Sequence, residues 1–99
     1  MVINGEIITE ELMKLKMLEV GLPAYMAPGI WRYLEHHISP GSFLAAILSN
    51  DFMGAVRRAD YANSLCLREW ASFLYNDLPF DCHGSRRKYL EWLAERDID

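Results

Sequence analysis

Apolar residues recur at helical spacing along most of this chain. Ile30, Tyr33, Leu34 and His37 share one side of a helix, as do Phe43, Leu44, Ile47 and Leu48. The same spacing joins Leu12, Leu15 and Leu18, with Met17 beside them, then Leu65, either Glu69 or Trp70, Phe73 and Leu74, and finally Tyr89, Leu90 and Leu93. Punctuation separates these runs. Thr9 before Glu10 and Glu11 reads as an N-cap with acids at the positive pole of a first helix, and Gly21 followed by Pro23 ends it. Pro28 fits the first turn of the second helix. Ser39 reads as the cap of the third, with Pro40 its first helical residue. Asn50 tolerates the left-handed conformation and Asp51 can cap anew, which predicts a short helix over Phe52 to Ala59. A longer helix is expected from about Tyr61 to Tyr75, ended by Asn76 to Pro79, and Gly84-Ser85 opens the last. Residues 1–8 carry no helical signal. Only Glu6 to Thr9 alternates like a strand, and this stretch reads as an irregular or extended arm.

The expected fold is therefore all-α, a compact bundle of five or six short helices forming a single domain over residues 1–99. Composition agrees: 52% of the residues are hydrophobic and 12% aromatic, ample for a packed core. So many aromatics in so short a chain should leave some at the surface, where they suit self-association into a homo-oligomer. The net charge of -4 and a pI near 5.3 oppose attraction to a phosphate backbone, so nucleic acid is not an expected partner. No apolar stretch is long enough to cross a bilayer and the N-terminal residues do not resemble a signal peptide, so the expected location is the cytosol, with no membrane partner. Cys66 and Cys82 are expected as thiols there.

Several groups could carry chemistry. Glu35 to Ser42 holds two imidazoles and the start of a helix, where free amides can bind an anion, but cationic residues at a helix end and a Ser-Pro-Gly turn are also ordinary capping chemistry. His36, His37, Cys66, Cys82 and His83 are potential zinc ligands without any zinc spacing. Cys82 beside His83 has the residue types of a nucleophile and base, a co-occurrence many chains share. No catalytic residue, metal or cofactor is assigned. The run Arg86-Arg87-Lys88 places three cations in the first turn of a helix, where the macrodipole favours acids; this points to an acidic partner or anion unless Asp77, Asp81, Glu91 or Glu95 neutralises it. A helix-turn-helix can be drawn over Phe43 to Ala59, but the acidic pI and the absence of early cations in its second helix argue against it.

The residues Arg32-Tyr33-x-Glu35-His36-x-Ile38-x-Pro40-Gly41-Ser42-Phe43-Leu44, then Asn50-Asp51, Arg58-Ala59-Asp60-x-x-Asn63, the run FLYN and Cys82-x-Gly84-Ser85 together form a pattern. In this the chain resembles a family of small proteins encoded by tailed bacteriophages and prophages, over about residues 22–93. That pattern often carries Trp where this chain has His83. The resemblance implies a phage accessory protein acting in the host cytosol, one that binds a host component or sequesters a signalling molecule. It groups Arg32, Glu35, His36, Ser42, Asn50, Asp51, Arg58, Asp60 and Asn63 around two helix breaks.

Two readings follow. In the first the protein is non-enzymatic and docks on a host or phage protein, possible uses including counter-defence, with Arg86, Arg87, Lys88 and exposed aromatics facing an acidic surface. In the second it is a sponge for an anionic signalling nucleotide held by helix N-termini, Arg32, His36 and Arg58 in a pocket at a subunit boundary.

Overall fold

The computed structural model describes residues 1–96, so the last three residues of the domain expected over 1–99 lie outside it. Its first element corrects the expected arm. Strand β1 (Val2–Ile3) pairs antiparallel with β2 (Glu6–Ile7), Val2 opposite Ile7. The two-residue turn between them, Asn4-Gly5, takes positive φ at both positions, 53° and 80°. Asn-Gly is the favoured pair for such a turn, and its twist matches that of the strands. Ile3 and the following Ile8 are buried, so the hairpin is a lid on the core.

Helix α1 (Glu10–Glu19) starts and stops where expected. Thr9 Oγ1 accepts from the Leu12 amide at 3.1 Å, and Gly21 (φ 89°) ends the helix with Leu22 N–H donating to the Met17 carbonyl. Its buried face, however, is Met13 and Met17, while Leu15 and Leu18 remain about half exposed. Apolar residues stand on two sides of this helix, and the flexible thioethers fill the gap against α2 better than branched leucines.

Helix α2 (Ala27–His36) follows a 3₁₀ turn at Ala24–Met26, carries Pro28 in its first turn, and buries Ile30, Tyr33 and Leu34. Helix α3 (Ser42–Leu48) begins two residues later than expected. Gly41 is its N-cap and offers no side chain; Ser39 Oγ lies instead 3.2 Å from the Tyr89 hydroxyl on the last helix. At the next break the expectation holds. Asn50 is left-handed (φ 61°), and Asp51 Oδ1 accepts from the Gly54 amide at 2.9 Å to cap α4 (Phe52–Arg58). A Cβ on Gly54 would stand 2.1 Å from the other oxygen of that carboxylate. Gly54→Ala should therefore displace the cap and lower the unfolding free energy from a denaturant curve by about 1 kcal/mol; an unchanged curve would show that the carboxylate can rotate away and still cap.

The expected helix over Tyr61 to Tyr75 is broken in two, giving seven α-helices among the described residues where five or six were expected. Asp60 caps α5 (Tyr61–Ser64), the chain turns at Leu65-Cys66, and α6 (Leu67–Asp77) follows. The break turns the Asn63 side chain inward, where its carbonyl accepts from Trp70 Nε1 at 2.8 Å and its amide donates to Asp60 at 2.9 Å. A second 3₁₀ turn (Phe80–Cys82) leads through Gly84 (φ 108°) to Ser85, whose hydroxyl caps α7 (Arg86–Ala94). The fold is all-α apart from the hairpin, with one core centred on Trp70, Phe73, Tyr33 and Leu48.

Candidate functional site

A broad hollow lies where the α3–α4 corner faces α6 and the Phe80–Lys88 segment, and its volume is about 890 Å³. Its apolar surface comes from Ile47, Ala55, Leu67, Ala71, Leu74 and Leu78. Phe52, Tyr75 and Phe80 stand around it, 69%, 83% and 77% exposed. Exposed large apolar side chains gathered around one depression mark a candidate interaction surface.

Two hydrogen bonds fix the far wall. The Tyr33 hydroxyl donates to the Cys82 carbonyl at 2.7 Å, and the Gly84 amide donates to the Leu48 carbonyl at 3.0 Å. The 3₁₀ turn and the start of α7 are thereby held against α2 and the end of α3, which sets the positions of His83 and Lys88. Lys88 Nζ lies 3.5 Å above the Phe80 ring centroid and donates to the Phe80 carbonyl at 3.3 Å. Its charge is oriented by these contacts but meets no carboxylate among the described residues. Arg68, on the α6 side, likewise forms no ion pair among them. The one carboxylate in the lining, Asp51, is engaged in capping α4. In an acidic chain, this hollow is locally positive.

His83 is half-buried, and burial, reinforced by the charge of Lys88, holds its pKa below the ordinary imidazole value. The unfolded chain then binds the proton more readily than the folded one, so this contribution to stability is complete above about pH 6.5 and is lost as pH falls below it. Between pH 7.5 and 5.5 the wild type should lose more stability than His83→Gln, by thermal melts at each pH; parallel curves would contradict this.

The residues singled out in the sequence divide into three groups. Asn50, Asp51 and Lys88 line the hollow. Asp60 and Asn63 are structural: Asp60 accepts from the Asn63 amide and from the Tyr25 hydroxyl, and Asn63 is 2% exposed within the same network. These bonds hold the Asp60 carboxyl below its ordinary pKa, the Tyr25 hydroxyl first among them. The others are spread over the surface. Arg58 turns back to the Gly54 carbonyl, Glu35 lies 2.9 Å from the Met1 amino group, and Arg87 pairs with Glu91 at 2.9 Å. Ser42, Arg32 and Arg86 are exposed. His36 packs edge-on against Trp31, and the shallow hollow beside it contains Glu35 and Glu95, carboxylates that oppose an anion. Arg32 and His36 lie one turn apart on α2 and Arg58 ends α4; none of the three lines the broad hollow.

The sulfur chemistry is enclosed. Cys82 is fully buried and its thiol is pushed up to about 12, chiefly by burial, so it stays protonated. Cys66 is buried at the α5–α6 turn. Among the described residues no three His, Cys, Asp or Glu side chains are placed to hold a metal ion, and no helix is long and apolar enough to cross a membrane. The second helix of the drawn helix-turn-helix, α4, exposes Phe52, Met53 and Val56.

Sequence reasoning missed Phe52, Arg68, Ala71, Tyr75, Phe80 and His83 as neighbours. A signal existed in α6, whose apolar positions Leu67, Ala71 and Leu74 extend beyond the stripe that Trp70 and Phe73 bury. Comparison of the chain with protein families, curated proteins and solved structures found no match to any of them.

Proposed function

We propose that this protein is a non-enzymatic docking protein, an accessory factor of a tailed phage or prophage that engages a host or viral protein in the host cytosol. The observation that carries the reading is the hollow between the α3–α4 corner and α6, apolar inside and bordered by exposed Phe52, Tyr75 and Phe80. Aromatic anchors around an apolar depression are where binding energy concentrates in protein interfaces. Its cations Arg68 and Lys88, which meet no carboxylate among the described residues, favour an apolar segment that is also acidic. Within one subunit Arg32 and His36 stand one turn apart on α2 and Arg58 at the end of α4, outside this hollow, so the hollow supports docking rather than the nucleotide-sponge reading.

Quantitative co-purification from host cells tests this. Ala71 is exposed within the hollow, so Ala71→Glu should leave folding intact while introducing a like charge and bulk against the partner. Leu15→Glu, on the outer face of α1, is the control. The expected result is a partner recovered with wild type and Leu15→Glu but lost with Ala71→Glu. Equal recovery by all three would remove the hollow from the interaction.

A further inference from the structure

The walls of the hollow restrict the form of its occupant. They are the α3–α4 corner, α6, the segment from Phe80 to Gly84 and the start of α7; the helical backbone is bonded within itself, and the Gly84 amide already donates to the Leu48 carbonyl. No strand borders the hollow; the hairpin pair, β1 and β2, lies elsewhere, packed through Ile3 and Ile8. An extended peptide laid here would bury N–H and C=O groups against Leu67, Ala71 and Leu74 with no ladder to join, and each unsatisfied group costs more than a side-chain contact returns. A helix satisfies its own backbone before it arrives. Its apolar stripe can then enter between Ala55 on α4 and Ala71 on α6, where small side chains permit close approach.

Charge specifies the occupant further. Arg68 on the α6 side and Lys88 on the α7 side face this hollow without carboxylate partners among the described residues, and Asp51 is committed to its cap. Resting on the docking reading above, we infer that the hollow receives an amphipathic α-helix of the partner, its apolar stripe on Ala55, Ala71 and Leu74 and its flanking carboxylates against Arg68 and Lys88.

Synthetic peptides of about 18 residues, five helical turns, provide the test. One carries a Leu stripe at i, i+3, i+4 and i+7 flanked by Glu; a second replaces Glu with Lys; a third is the Glu peptide with a central Pro. Calorimetry with the wild-type protein should show the Glu peptide binding at least tenfold tighter than the other two. Arg68→Glu combined with Lys88→Glu should reverse the order of the Glu and Lys peptides. Since Lys88 also contacts Phe80, Arg68→Glu alone, at an exposed position, is the second variant and should narrow the gap. Equal binding of the Pro peptide would refute a helical occupant, and an unchanged order in both variants would refute its acidic character. If no peptide binds, the helix inference fails. The docking reading fails only if Ala71→Glu also retains the cellular partner, so the two outcomes are separable.

Discussion

Replacing Asn63 with Ala should destabilise the protein by about 3 kcal/mol, a fall of roughly 15 °C in Tm for a domain this size. Asn63 is 2% exposed, and its carbonyl is the acceptor for the Nε1 proton of Trp70, itself fully buried. Truncation leaves that donor unsatisfied in the core and opens a void beside it, and such donors cost about 1–3 kcal/mol each before the void is counted. Asn63→Asp provides a signature that simple loss of packing would not. The new carboxylate would face Asp60, to which the amide now donates at 2.9 Å, so its folded-state pKa should rise and the folded form should need a proton. Sign and direction follow from linkage: Asn63→Asp should gain stability as pH falls from 7 to 5, while the wild type loses some through His83. Two melts at each pH decide it, and parallel slopes would mean that Asp60 and Asn63 do not form the bond.

The second large effect is on binding alone. Phe52 and Tyr75 are 69% and 83% exposed, so cutting either to Ala should move Tm little. Each should weaken the partner complex by about 2 kcal/mol, close to thirtyfold, as expected for aromatic anchors that become desolvated in an interface. The same truncation at Tyr25, exposed on another face beside Asp60, should leave affinity unchanged. Comparable losses at Tyr25 and Tyr75 would indicate a general effect of removing aromatics.

How far the chain could be read from its letters depends on how local each device is. Thr9, Gly21, Asn50-Asp51 and Ser85 act on amides within a few residues, and all four do what their types predict. Asn4-Gly5 was as local a signal, but strands of two residues show no alternation to support it. Contacts from distant segments explain the errors. Which side of α1 faces inward depends on α2, and the break at Leu65-Cys66 depends on a buried amide meeting Trp70, with neither Gly nor Pro to mark it. The same applies to the site. Asp60 and Asn63 stood out as polar residues near a helix break and proved to be internal ties, whereas Leu74 read as core and, buried as it is, also borders the hollow. Exposure of an apolar residue is decided by what the rest of the chain fails to cover.

The most direct measurement of the docking account is photo-crosslinking in host cells from a benzophenone side chain at position 75, on the border of the hollow, compared with one at position 15 on the outer face of α1. The account predicts one adduct of defined mass from position 75, abolished when Ala71→Glu is added, and no such adduct from position 15. Identical adducts from both positions, or an adduct at 75 that survives Ala71→Glu, would contradict it.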